Sequence, residues 1–210
     1  LVCKGGTHPA QLLYPDLADR ACEKITAAIN RGHAGEKGIQ AILDATELPK
    51  GSFYHHFKDK QDFALQVIDA YITEVHGVLD ACLTDTRYPP LARVRNFFEI
   101  VMQKYREEGY LGCLMGGLGQ ELSGTSDVFR QKIEWCFLSI SERIASCFEE
   151  AKARGNIPVT SDPKQMADLL VDCWEGAALR SRLRKDPLSL TNMLDFYIQS
   201  WSINERPGKA

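Results

Sequence analysis

Two sets of residues in this 210-residue chain have the types and spacing to do chemistry. The first is the run Leu48–Phe63, LPKGSFYHHFKDKQDF. If Pro49 opens a helix, its missing N–H falls in a first turn that offers it no intrahelical partner. Lys50, Ser52, Tyr54 and His55 then leave the early turns, where polar side chains and backbone amides can meet phosphates and base edges in a DNA major groove. Phe53 and Phe57, four apart, form the inward face, and Lys60 at the start of the following helix sets a cation against the phosphate backbone. Gln40, on the outer face of the preceding short helix, can reach a base edge or a phosphate. His55 and His56 are adjacent, hence ~100° apart around a helix, and cannot chelate one metal from the same face. No metal site is expected.

The second set is Cys113 in the glycine-rich but apolar stretch Gly112–Leu122, GCLMGGLGQEL. Gly112 lets the chain turn into a helix, and a helix N-terminus lowers a thiol's pKa, which makes Cys113 a candidate redox or electrophile sensor. The competing reading is a small side chain where two helices touch. Gly112, Gly116, Gly117 and Gly119 match neither phosphate-cradling pattern, G-x-G-x-x-G or G-x-x-x-x-G-K-[ST], so they point to close helix packing. Phe98, Met102, Tyr105, Met115, Trp135 and Trp174 are candidates to line an apolar ligand cavity, although each taken singly is a common core residue. The acidic residues and histidines show no paired-carboxylate or triad spacing, so no enzyme and no cofactor are expected.

These residues must be held by helices. Apolar residues recur at three-and-four spacing while alternating β-branched runs are almost absent, which predicts an all-α protein of about nine helices. Residues 1–15 lack a helical period and read as a loose arm. A helix starts near Asp16 and runs to about Asn30, and a short one follows Gly35–Gly38 and ends near Ala45. The turn Thr46–Leu48 leads into the helix opened by Pro49, and two short helices joined this tightly make a helix-turn-helix.

The next helix spans Lys60–Leu83, with Phe63, Val67, Tyr71, Val75, Val78 and Leu79 or their neighbours inward. Pro89-Pro90 precedes a helix over Leu91–Glu108 that Gly109 ends. Ser126 can cap a helix of up to about 28 residues ending at Arg154-Gly155, roughly 42 Å at ~1.5 Å per residue. Asp162-Pro163 starts a helix to Arg184 and Asp186-Pro187 the last, to about Ile203. Three regions follow: an arm over 1–15, a helix-turn-helix domain over 16–60, and a helical body over 61–210, to which the resemblance given below assigns ligand binding and dimerisation.

Lys plus Arg number 25 against 28 Asp plus Glu, and this net charge of −3 excludes a protein that coats nucleic acid by bulk charge. Residues 1–60 carry 8 basic and 7 acidic side chains, the remainder 17 and 21, so the head has the sign expected for DNA and the body does not. Seven cysteines without a C-x-x-C pair suggest a reducing compartment, with Cys136, Cys147 and Cys173 as core residues. Without a run of about 18 apolar residues or a basic stretch leading into an apolar one, a soluble cytoplasmic protein is expected.

The string Pro49-Lys50-Gly51-Ser52-Phe53-Tyr54-His55-His56-Phe57-Lys58-Asp59-Lys60 resembles the hallmark of the TetR-type transcriptional repressors. The resemblance implies that Tyr54 and Lys60 hold phosphates, that Lys50, Gly51, Ser52 and His55 approach bases or phosphates, and that His56 lies near the DNA or packs structurally. Gly112-Cys113-Leu114, Leu118-Gly119-Gln120-Glu121, Phe129-Arg130, Trp174 to Arg180 and Asp186-Pro187-Leu188 are similar to the acrylate- and electrophile-responsive branch, the AcuR- and NemR-type regulators.

That branch implies a homodimer paired through the last two helices (163–184 and 187–203), and a near-palindromic double-stranded DNA operator. It also implies release by a small molecule, reactive electrophile or oxidant, with Cys113 as sensor. Arg182 stands where some members carry a lysine that partners an oxidised cysteine, so no lysine cross-link is expected. The expected function is therefore an inducible DNA-binding repressor; the alternative is a helical small-molecule-binding protein whose head no longer reads DNA.

Overall fold

The computed structural model describes Lys58, residues 60–124 and residues 126–203. These residues form six helices: α1 (Lys60–Leu83), α2 (Pro90–Glu107), α3 (Leu114–Leu122), α4 (Asp127–Ala153), α5 (Pro163–Arg184) and α6 (Leu188–Trp201). No strand occurs among the described residues. The expected arm and helix-turn-helix, and with them the count of about nine helices, lie outside the described residues.

Local chemistry sets most helix ends. At α1 the Asp62 carboxylate accepts from the Lys58 N–H at 3.0 Å, holding an amide that precedes the first turn. α2 begins at Pro90 rather than Leu91, because the extended Pro89 leaves the second proline in the first turn, where its missing N–H is harmless. It ends where Gly109 turns left-handed at φ +71°. The Gly109 and Tyr110 amides then bond back to the Arg106 and Tyr105 carbonyls at 3.1 and 2.6 Å. Gly155, at φ +72°, closes α4 by the same pattern.

Asp162 caps α5 as expected, accepting from the amides of Lys164 and Gln165 at 3.0 and 3.1 Å, with Pro163 in the first turn. The last helix is shorter than the expected 187–203. Pro187 serves as its N-cap, and its far end stops at Trp201 because Ser202 turns extended and the Ile203 N–H goes to the Asn156 carbonyl at 3.0 Å.

The described residues divide into two compact units. One holds the described residues up to Val75 with those of Leu114–Ile133, the other His76–Cys113 with the described residues from Glu134 onward. In the first unit the buried side chains are Ile68 and Ile72 of α1, Leu114, Met115 and Leu118 of α3, and Phe129 and Ile133 of α4. At Gly119 a Cβ would stand 3.6 Å from Cγ2 of Ile133, an ordinary contact, so the packing here would admit a methyl group. Of the expected inward residues of α1, Leu79 is buried and Tyr71, Val75 and Val78 are half-buried, and it is the neighbours Ile68 and Ile72 that are buried higher up the helix. A 24-residue helix with apolar side chains on several sides does not reveal its inner face by period alone.

In the second unit the core gathers Leu79, Val94, Phe97, Phe98, Cys136, Ile144, Phe148, Leu170, Trp174, Leu190 and Leu194. α6 packs on both α5 and α2. The Tyr197 hydroxyl donates to the Met166 carbonyl, and Arg95 of α2 meets Asp195 of α6 at 2.8 Å. His76 and Asp80 of α1 bond to Ser139 and Arg143 of α4 at 2.8 and 2.9 Å. The Ser139 hydroxyl already donates to the Cys136 carbonyl, so His76 Nε2 is the donor in its bond and the imidazole carries its hydrogen there.

Candidate functional site

The chain between α2 and α3 is fastened along α5 over three of its residues. Gly109 presents its carbonyl to Lys185 Nζ at 3.3 Å. Gly112, at φ +83°, approaches α5 so closely that a Cβ would lie 3.6 Å from the Ala178 carbonyl oxygen and 3.7 Å from Cβ of Arg182. Cys113 hydrogen-bonds the carboxylate of Glu175. The contacts progress along the helix as Glu175, Ala178, Arg182 and Lys185, so the loop runs antiparallel to α5. Glycine is favoured at 112 for its left-handed backbone, while the space beside α5 would admit a methyl group.

Glu175 is the titratable group of interest here. It shares the stripe of Val171 and Ala178, both buried, and burial pushes its carboxyl up to about 7. The Cys113 hydrogen bond favours the charged form and pulls the other way, while Asp172 adds like charge and raises the value further. Glu175 stands in the sequence motif Trp174-Glu175-Gly176, yet sequence reasoning gave it no role. The available signal was an acid at i+4 and i−3 from two apolar residues of an inward stripe.

The other described cysteines differ. Cys136 is fully buried and its thiol is pushed up to about 12 by burial and by the Glu175 charge. Cys147 is pushed up to about 11 by burial and donates to the Pro90 carbonyl at 3.3 Å. Both are core residues, as expected. Cys173 is only half-buried, because it lies at the edge of the inward stripe of α5 that Leu170 and Trp174 occupy. Cys113, also partly accessible, is hydrogen-bonded to a carboxylate.

Of the aromatic candidates, Phe98, Tyr105 and Trp174 come together, with ring centroids 4.6 Å apart for Phe98–Trp174 and 6.2 Å for Tyr105–Trp174. Met102 accepts at sulfur from the Thr191 hydroxyl at 3.4 Å. Trp135 stands elsewhere, half exposed on α4 with its ring 5.7 Å from that of His76. Met115 is buried within the other unit. Gln40, Lys50, Gly51, Ser52, Tyr54, His55 and His56 lie outside the described residues, and Lys60 is the first residue of α1. No group of three or more His, Cys, Asp or Glu that could hold a metal occurs among the described residues.

On α5, Leu169, Leu179 and Leu183 stand exposed, and on α6 Leu188 and Phe196, the last 75% exposed. Leu169 therefore departs from the core role open to it in sequence, because Met166, Leu170 and Trp174 fill the inward stripe. No helix among the described residues is long and apolar enough to cross a membrane.

The family described as "Tetracyclin repressor-like, C-terminal domain" matches residues 90–196, and the chain belongs to that TetR family. It is 37% identical over 186 residues to the transcriptional regulator AcuR of Cereibacter sphaeroides, covering 87% of this chain and 83% of that one. To the HTH-type transcriptional repressor DhaR of a Mycobacterium species it is 32% identical over 166 residues, 79% of this chain and 82% of that one. Among solved structures, regulatory protein TetR from Rhodobacter sphaeroides superposes with a TM-score of 0.78 at 34% identity, over 89% of this chain and 100% of that one. These relatives are regulators, not enzymes.

Proposed function

We propose that this protein is a cytoplasmic, homodimeric DNA-binding repressor that a reactive electrophile, an oxidant or another small molecule releases from its operator, with Cys113 as the sensor. The observation that carries the reading is the partly accessible Cys113 thiol in a loop fastened to α5, beside a carboxylate. A covalent change at that sulfur would remove the thiol–carboxylate hydrogen bond that joins the loop to α5.

The head over 16–60 would read DNA through Gln40, Lys50, Gly51, Ser52, Tyr54, His55, His56 and Lys60, and the aromatic group at Phe98, Tyr105 and Trp174 would shape the ligand space beside α5. Leu169, Leu179, Leu183 and Phe196 supply the apolar surface for pairing two copies through α5 and α6. Half-sites of a near-palindrome are set about one helical turn of DNA or a multiple apart, so a change of a few ångströms between two heads breaks simultaneous contact.

The test is a fluorescence titration of the protein against DNA from its own upstream region at two salt concentrations, with and without an unsaturated carbonyl. Wild type should bind with strong salt dependence and be released by the electrophile, while Cys113→Ser stays bound. Release of both proteins alike would remove Cys113 from the reading. Absence of specific binding at either salt would replace the repressor with a small-molecule-binding protein that does not read DNA.

A further inference from the structure

Resting on the reading of the chain as a DNA-binding repressor, we infer that His76, Asp80, Ser139 and Arg143 form an acid-operated latch between α1 and α4: protonation of His76 draws Asp80 away from Arg143 and loosens α1, which weakens operator binding. The cluster is built from two facing stretches of helix. His76 of α1 donates from Nε2 to the Ser139 hydroxyl at 2.8 Å, and one turn further along, Asp80 accepts from Nε of Arg143 at 2.9 Å. Each pair joins residues 63 positions apart, so α1 and α4 run parallel along this stretch with their polar side chains in register. The same offset joins Asp69 to Lys132 nearer the start of both helices.

The α4 side of the latch is fixed to its own backbone. Ser139 is buried with its hydroxyl donated to the Cys136 carbonyl, and Arg143 also donates from Nη1 to the Ser139 carbonyl at 3.0 Å. Asp80 is the member able to change partner: it lies four residues from His76, the spacing at which two side chains of one helix pair. With Nε2 already carrying its hydrogen toward Ser139, an added proton goes to Nδ1 and the half-buried ring becomes a cation. The charged groups that face it are Asp80 from α1 and Arg143 from α4. Two cations then compete for one carboxylate. When His76 takes it, a tie between two helices becomes a tie within one, and α1 loses this salt bridge to α4.

Burial and the Arg143 charge hold the imidazole below its ordinary value of 6.5, while Asp80 pulls the other way. An opened state therefore takes the proton more readily than the closed one, so the latch is fully favoured above 6.5 and weakens as pH falls below it. The position gives this change its reach. α1 passes into the second compact unit at His76, and α4 passes into it at Glu134, just ahead of Ser139 and Arg143. Lys60, which the proposed head sets against phosphate, opens the same helix α1. Acid thus gives the repressor an input of its own, separate from Cys113.

The experiment follows full-length wild type, His76→Gln and Arg143→Gln from pH 8 to pH 5 by tryptophan fluorescence, by hydrogen exchange of peptides covering 76–83 and 134–147, and by affinity for upstream DNA at fixed salt. Trp135, its ring 5.7 Å from that of His76, is quenched by an imidazolium. Wild type should therefore show a fluorescence step below 6.5 that His76→Gln lacks, since glutamine keeps a donor for Ser139 but does not titrate. At pH 5.5 the wild-type peptides should exchange faster than those of His76→Gln. Between pH 8 and pH 5.5 wild type should lose about fivefold in DNA affinity relative to that variant, the lower end of couplings between linked sites. Arg143→Gln should move the step upward, because the opposing cation is gone. Superimposable fluorescence and exchange profiles in wild type and His76→Gln overturn the inference, as does a step unmoved in Arg143→Gln should the first variant fail to fold. Equal pH dependence of DNA affinity in wild type and His76→Gln overturns it too. If neither protein binds DNA at any pH while the step and the exchange difference remain, the latch stands and the repressor reading falls.

Discussion

Two glutamates, each on a long helix, are held in opposite ways. Glu150 of α4 meets Arg93 at 2.6 Å and Arg154 at 2.5 Å, and these guanidinium groups keep its carboxyl below the ordinary range. Arg93, 3% exposed, also donates to the Leu83 and Tyr88 carbonyls at 2.8 and 2.9 Å, so one side chain ties the end of α1, the following turn and α4 together. Glu175 of α5 has a thiol where Glu150 has guanidinium, and its carboxyl rises to about 7. A cationic partner makes a glutamate a permanent anion and a fixed joint. A neutral donor leaves it able to exchange a proton, which is what a responsive site requires.

The largest effect is expected at the fixed joint. Arg93→Ala should cost about 3 kcal/mol in urea denaturation, because it leaves the Leu83 and Tyr88 carbonyls without their donor and opens a space where a buried side chain stood. A loss below about 1 kcal/mol would show that the joint is not held by this side chain, and the contrast would collapse.

The second effect concerns pH. Glu175 has a folded pKa near 7 against an ordinary value of 4.5, so between these the folded state binds more protons than the unfolded one and stability falls as pH rises. The fall is on the order of 2 kcal/mol and should vanish in Glu175→Gln. Glu150, held low, acts with the opposite sign: its contribution is present above the ordinary carboxylate range and is lost as pH falls through its folded pKa. Thermal melts of wild type and Glu175→Gln at pH 5 and pH 8 check this, and an unchanged pH dependence would place Glu175 in water.

The smallest effect separates two glycines. Gly112→Ala, forced to φ +83°, should destabilise by about 1 kcal/mol although the space would admit a methyl group. Gly77→Ala, inside α1 with nothing within 4 Å of the new carbon, should stabilise by about 0.5–1 kcal/mol. Two melting curves settle the pair, and equal shifts would deny Gly112 its special backbone.

Much of the fold was legible because helix ends are local. Asp162-Pro163 starts α5 and Gly109 and Gly155 close α2 and α4, since a cap or a left-handed glycine acts within one turn. The end of α6 was not, because the Ile203 amide leaves the helix for the Asn156 carbonyl, far away in sequence. The buried stripe of α1 was legible only to within a residue, for the same reason that several sides of it are apolar. Cys113 could be singled out by its neighbour Gly112, but its partner Glu175 is 62 positions further on and no spacing rule joins them.

The sequence by itself determined an all-helical body, its caps and stops, the candidate DNA-reading residues and the cysteine to watch, because each depends on neighbours within a turn or two. Only the tertiary structure decided which groups meet: that Arg93 answers Glu150 and that the Cys113 thiol meets Glu175. A carboxylate's protonation depends on the groups within a few ångströms and on the water it loses, and folding alone chooses both.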